Sequence, residues 1–219
     1  MQPLVEPFIA PKCHEQIRIL YQDEHLLLIN KPSGLLSLSG KHPLNVDSVH
    51  HRLKQDFPSA LMIHRLDFGT SGIMLIALNK EINKQLCRQF SERSVTKTYT
   101  AMLDGVVQLD NGLIDLPIAK GEFPLMGIDH ETGKPAKSQF EVIERFADTS
   151  KVAFTPLTGR THQLRVHSQA MGHSILGCDL YADDQAFFKA KRLMLHATSL
   201  SFTHPISNET LVVTSPCPF

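Results

Sequence analysis

Strand-length runs, apolar or alternating, follow one another along this chain with only polar turns between them. IRILYQ and HLLLIN read as two strands around a turn at Gln22–Glu24, closed by Pro32 and Gly34. SGIMLIAL has the length and the isoleucine and leucine content of a buried strand. TKTYTAML alternates, SQFEVIERF and KVAFTPL form a pair around Ala147–Ser150, and LMLHATSLSF and TLVVTS form a last pair around His204–Asn208. Helical signals are fewer. Asp47 is placed to cap a helix through about Phe57, and Thr161 to cap one through Met171 that Gly172 stops. Asn79 is placed to cap an amphipathic helix with Ile82, Leu86 and Phe90 on one face. Strands that outnumber helices and succeed one another directly predict an α+β fold: a large, mostly antiparallel mixed sheet flanked by helices and loops.

Composition narrows the class. Of 219 residues, 42% are hydrophobic and 20% charged, a globular balance with length for a real core. The longest apolar runs are far too short to span a bilayer. MQPLVEPFIAP lacks a basic region followed by a hydrophobic stretch, so it does not read as a signal peptide, and a cytoplasmic enzyme is expected. Residues 1–16 read as an N-terminal tail. Cys13, Cys87, Cys178 and Cys217 are widely spaced and read as reduced thiols. The formal net charge is zero but segregated: residues 80–99 carry +3 and residues 104–133 carry −5. A basic strip on a neutral protein can still hold a polyanion.

Two segments concentrate chemistry. HRLDFGTSG, residues 64–72, packs His64, Arg65, Asp67, Thr70 and two glycines just before the apolar strand. An acid there can project into a cleft where glycines let a ligand approach, or it can simply cap the turn. TGRTHQLRVH, residues 158–167, puts Arg160 in a turn and His162 and Arg165 three apart on one helical face. With His167, these groups make an anion-attracting spot whose partner is either a phosphate or the Asp67 carboxylate. An arginine beside that carboxylate would keep it ionised, as a nucleophile requires.

Other signatures fail. GTSG is not GxSxG, and ETGKPAKS has Pro135 where a P-loop needs Ser or Thr. There is no HExxH and no cysteine pair, so a metal site is not expected despite twelve histidines.

INKPSGLLS, HRLDFGTSGIMLIAL, KTYTAML, ETGKPAKSQFEV, GRTHQLRVHSQAMGHSILG and RLMLHATSLSFTHP occur in this order across roughly residues 17–205. Together they resemble the RluA-type pseudouridine synthases. The resemblance implies the catalytic fold of that family over residues 17–219 as a single domain, with no appended N-terminal RNA-binding domain. It implies an isomerase that converts specific uridines to pseudouridine in 23S rRNA, a tRNA anticodon stem-loop, or both. Asp67 of HRLD matches the catalytic aspartate. Arg165 of GRTHQLR matches the arginine that pairs with it, Tyr99 of KTYTA the aromatic that stacks on the target base, and Arg65 the side chain that fills the space of the flipped nucleotide. His64, Thr70, Arg160 and His162 accompany these as base or RNA contacts. Lys84, Arg88 and Lys97, and the group Lys189, Lys191 and Arg192, are the candidates for the RNA backbone.

Elementary chemistry agrees with those roles. A stacked uridine hides its glycosidic bond and must be extruded at a cost of a few kcal/mol. A guanidinium plane in the gap recovers part of this, and a tyrosine offers a π-face. One carboxylate suffices because no water is activated; no metal or organic cofactor is expected, and a monomer is adequate. Rival readings are an RNA-binding or chaperone-like protein without essential catalysis, and a hydrolytic nucleosidase. One departure stands out: the family usually has Asp after ILG, whereas this chain has Cys178 followed by Asp179.

Overall fold

The structure, a computed structural model, describes residues 8–219. They belong to two compact units, Met1–Cys87 and Arg88–Phe219. In the first, β1 (Arg18–Gln22), β2 (Leu26–Lys31), α1 (Val49–Asp56), β3 (Leu61–Met62) and β4 (Ser71–Ala77) follow in order, and α2 (Lys80–Ser91) runs across the boundary. The second contains β5 (Thr96–Asp104), β6 (Asn111–Asp115), β7 (Ile118–Lys120), β8 (Met126–Ile128), β9 (Lys137–Arg145), β10 (Thr149–Pro156), α3 (Gln163–Ala170), α4 (Asp184–Phe188), β11 (Leu195–Thr203) and β12 (Thr210–Thr214). The fold is α+β with a large, mostly antiparallel sheet and few helices, as the strand-rich pattern predicts.

In the first unit β2 pairs antiparallel with both β1 and β4, and β3 adds a short edge to β4. Every residue of β4 is buried, which explains why SGIMLIAL has no polar face. Asp23 closes the β1–β2 turn by accepting the His25 and Leu26 N–H groups. In the second unit the strands run β12-β11-β5-β10-β9-β6, all antiparallel. Phe140, Val152 and Phe154 from this sheet pack with Leu164 and Val166 of α3 and with Ile175 and Tyr181. Each such side chain contributes about 1.5–3 kcal/mol on burial, so α3 is held on the sheet by its apolar positions.

The helix caps differ in part from expectation. Asn79 does cap α2, accepting from the Ile82 N–H at 2.9 Å. Ser48, not Asp47, caps α1: its hydroxyl accepts the His51 N–H at 3.1 Å. Asp47 is drawn instead into a two-point ion pair with Arg52, which holds its carboxyl below the ordinary range. Thr161 does not cap α3. His162 occupies the cap position with φ of 55°, and its side chain makes no cap bond. The Gln163 side chain instead folds back on the preceding turn, accepting the Arg160 N–H at 2.9 Å.

Residues 8–15 are tied down where the sequence suggested a loose tail. Arg52 donates to the Cys13 and Glu15 carbonyls at 2.6 and 2.7 Å, and Asn45 bonds both Phe8 and Ala10. The four cysteines are free thiols. No helix among the described residues is long and apolar enough to cross a membrane.

Candidate active site

Asp67 lies half-buried in the turn between β3 and β4, and its carbonyl accepts the Thr70 N–H at 3.1 Å. The turn is clamped from the INKPSGLLS segment. Lys31 has no solvent exposure, and its ammonium donates to the carbonyls of Pro32, Phe68 and Thr70 at 2.9, 3.1 and 2.8 Å. Ser33 donates to the Gly69 carbonyl, and Gly34 donates its N–H to Phe68. Ser37 makes a reciprocal pair with Leu66, donating to its carbonyl and accepting from its N–H. Carbonyls at 66, 68, 69 and 70 therefore all have fixed partners around one carboxylate. The Lys31 bonds are charge-assisted and worth about 1.5–3 kcal/mol each, so the loop is a rigid platform.

His64 and Thr70 are built into that platform. The His64 Nε2 accepts the Leu75 N–H at 3.0 Å, extending the edge that β3 makes on β4. Thr70 is buried, with its carbonyl on Lys31. Arg65, by contrast, is exposed. Phe68 packs edge-on against Phe8, with ring centroids 5.4 Å apart, so the 8–15 segment also touches this loop. A cavity of about 730 Å³ opens between that segment and α1, with Lys12, His14, His51 and Arg52 among its walls.

In the second unit, Tyr99 sits on β5 opposite Phe154 and Ala197, half-buried against the core cluster. Arg165 projects from α3 and is 4% exposed. Its Nε–H donates to the Cys178 sulfur at 3.2 Å, its Nη2 pairs with Asp179, and the guanidinium lies over the Tyr181 ring at 5.1 Å. Asp179, which follows Cys178 in the chain, thus reaches the arginine. His162 Nδ1 is 2.7 Å from the Tyr181 hydroxyl. Arg160 donates to the Pro135 carbonyl at 3.0 Å.

His167 does not join the anion-attracting set. Its Nε2–H donates to the Leu116 carbonyl, and its Nδ1 accepts from Ser138, each at 3.0 Å. Burial pushes its pKa down, which keeps the ring neutral. Among the described residues, no group of three or more His, Cys, Asp and Glu is placed to hold a metal.

The basic strip is uneven. Lys84 and Arg88 are exposed one turn apart on α2, but Arg88 is bonded to Glu92 at 2.7 Å. Lys97 is half-buried with its ammonium 5.4 Å from the Phe90 ring centre, and burial lowers its pKa. Lys189 is held by Asp104 and Asp148 at 2.6 and 2.9 Å, which leaves it a poor phosphate ligand. Arg192 stacks on the Phe219 ring. Lys31 and Tyr181 escaped the sequence reading. The signal for Lys31 was visible, a lone lysine ending an apolar run before Pro32, but its three carbonyl partners are 1, 37 and 39 residues away.

Comparison with known proteins bears on this arrangement. The model of a family described as RNA pseudouridylate synthase matches residues 25–170. The chain is 50% identical over 190 residues to the dual-specificity RNA pseudouridine synthase RluA of Yersinia pestis, covering 85% of this chain and 92% of the relative. It is 45% identical over 204 residues to the RluA of Escherichia coli K12, covering 92% and 93%. Among solved structures, the human RNA pseudouridylate synthase domain containing 1 matches with a TM-score of 0.80 and 34% identity, over 95% of this chain and 86% of that one.

Proposed function

The chain belongs to the RNA pseudouridylate synthase family and is an RNA pseudouridine synthase, and from that premise we propose that Asp67, Tyr99 and Arg165 carry out its reaction on both rRNA and tRNA. The dual specificity in the relatives' names supports two RNA classes. The resemblance noted above makes them 23S rRNA and a tRNA anticodon stem-loop.

In the proposed course, the target uridine leaves its stack and Arg65, which is exposed, fills the gap. Tyr99 stacks on the extruded base. Asp67 engages the sugar, either by adding to the anomeric carbon or by taking a neighbouring proton. The bond from the anomeric carbon to the uracil nitrogen breaks, the base turns while held, and a carbon–carbon bond forms to the same sugar. Arg165 supplies positive charge, the role that its match to the family's arginine implies. His64 and Thr70 support the loop, Arg160 and His162 border Arg165, and Lys84 and Arg88 face the RNA backbone, whereas the Lys97 ammonium is desolvated against Phe90. The enzyme works in the cytoplasm as a monomer without metal or cofactor.

The observation that carries this reading is the immobilised Asp67 loop, with its buried Lys31 clamp. A carboxylate that must meet one atom of a sugar needs a support that does not drift, because misplacement by about 1 Å can cost about 10²-fold in rate. The test is to map pseudouridine across 23S rRNA and tRNA from cells lacking the protein, then complemented with wild type or Asp67→Asn. Sites in both RNA classes should vanish and return only with wild type. Return with Asp67→Asn would overturn the role of Asp67, and loss in one RNA class alone would overturn the dual reading.

A further inference from the structure

The cavity beside the 8–15 segment lies wholly within the first unit, and its volume of about 730 Å³ is that of a ligand pocket, about 300–1,000 Å³. Its walls are fixed by bonds of their own. Asn45 is buried and joins the 8–15 segment to the loop before α1: its side chain accepts the Ala10 N–H and donates to the Phe8 carbonyl, each at 2.8 Å. Its backbone N–H donates to His42, and its carbonyl accepts the Gly40 N–H. Arg52 ties the same segment to α1, spending its donors on Asp47 and on the Cys13 and Glu15 carbonyls. The Arg52–Asp47 pair is thus part of the wall, and its two charges cancel.

What faces a ligand is basic on one part and apolar on another. Lys12, His14, His51 and Gln55 are exposed, and their side chains make no hydrogen bond with any described residue. His51 and Gln55 stand one turn apart on α1. Leu44 and Val46 also line the cavity and are 67% and 46% exposed. Ammonium and imidazole groups beside bare aliphatic side chains suit a phosphate that carries a flat organic group. The cavity adjoins the Asp67 loop. Gly34 is one of its walls and donates its N–H to Phe68 at 2.9 Å, and the Phe8 ring packs on that of Phe68. We propose that this cavity is a second RNA subsite, which takes one unpaired nucleotide of the substrate strand beside the target uridine, its phosphate on Lys12, His14 and His51 and its base against Leu44 and Val46. This rests on the reading of the Asp67 loop as the place where that uridine reacts. A free mononucleotide offers the same groups, but a strand already held at the loop presents its neighbour at high effective concentration. Walls set before RNA arrives leave only the nucleotide to be ordered.

The test uses the full chain and a tRNA anticodon stem-loop. Lys12→Gln should raise the Kd about tenfold and lower the slope of log K against log salt by about 0.7, the loss of one single-strand phosphate contact. His51→Gln should raise the Kd about threefold. Lys54→Gln removes a charge of α1 outside the cavity and should leave Kd and slope within about twofold of wild type. Location is read by placing p-benzoylphenylalanine at position 44. Irradiation should join it to a single nucleotide beside the target uridine, and free uridine 5′-monophosphate at the concentration of the RNA should not compete. Equal losses from Lys12→Gln and Lys54→Gln would overturn the proposal. So would crosslinks that are absent or scattered along the stem-loop, or a crosslink that the free nucleotide displaces as well as RNA does. Pseudouridine formed by Asp67→Asn would instead remove Asp67 from the catalytic set, while the crosslink and the salt series, which need no turnover, still decide whether the cavity holds RNA.

Discussion

The Lys31 ammonium donates to the Thr70 carbonyl at 2.8 Å, joining the end of β2 to the residue before β4, 39 positions later. Both residues are buried. The bond crosses the mouth of the loop that carries Asp67, so a charge in the core serves geometry at the surface.

Replacing Lys31 by methionine keeps the volume and removes the charge. Three carbonyls lose the Lys31 donor, Phe68 keeping that of Gly34, and an unsatisfied buried acceptor costs about 1–3 kcal/mol. We expect a loss of roughly 3 kcal/mol or more in urea unfolding. In the folded fraction we expect kcat to fall more than tenfold with KM little changed, because the Asp67 loop is no longer clamped. Unchanged stability would mean that the three bonds contribute nothing net.

Tyr99→Leu should lower turnover more than RNA affinity. Base stacking is worth about 1–3 kcal/mol by truncation, and here it acts only on the extruded base. Tyr99→Phe should keep most of the rate, since the π-face remains. Single-turnover kinetics beside anisotropy titration distinguishes these outcomes, and a loss confined to affinity would remove Tyr99 from its assigned place.

The basic strip should divide under salt titration. Lys84→Ala should flatten the slope of log K against log salt by about 0.7–0.9, the loss of one phosphate contact. Lys97→Ala should leave it unchanged, because that ammonium is desolvated against Phe90. If neither moves the slope, the RNA backbone lies on another face.

Acid should destabilise the fold through His196. Burial pushes its pKa down to about 4, with the ring Nε2 3.2 Å from the Ser215 hydroxyl. Because the folded value lies below the unfolded one, stability is full above about pH 6.5 and declines as the pH falls toward 4, by an amount on the order of 3 kcal/mol. His167 acts in the same direction. His196→Gln should flatten the profile of Tm against pH over that window, and an unaltered profile would place the acid sensitivity elsewhere.

Much of the fold was legible because it depends on local patterns. The β1–β2 hairpin, β4, β5, the β9–β10 pair and the β11–β12 pair follow from alternation, apolar runs and turn residues, which act over a few neighbours. The short strands β3, β7 and β8, with two or three residues each, carry too little pattern to be seen. Caps were harder, since Asp47 and Ser48 are both good cap residues and only the position of Arg52 decided between them.

From the sequence alone came the strand-rich α+β class and the residues to watch: Asp67, Tyr99 and Arg165, with Cys178 and Asp179 at the one departure from the family pattern. The class follows from short-range periodicity, and the residues follow from the family resemblance that the ordered motifs carry. Tertiary structure alone decided which charged groups are spent inside the protein. Lys31 became the clamp of a loop, His167 a neutral buried strut, Lys97 a desolvated cation, and Asp179 the outward-facing partner of an inward-facing arginine. The physical reason is that burial and hydrogen-bond partners set what a charge can do, and both are made by residues tens of positions apart in the chain.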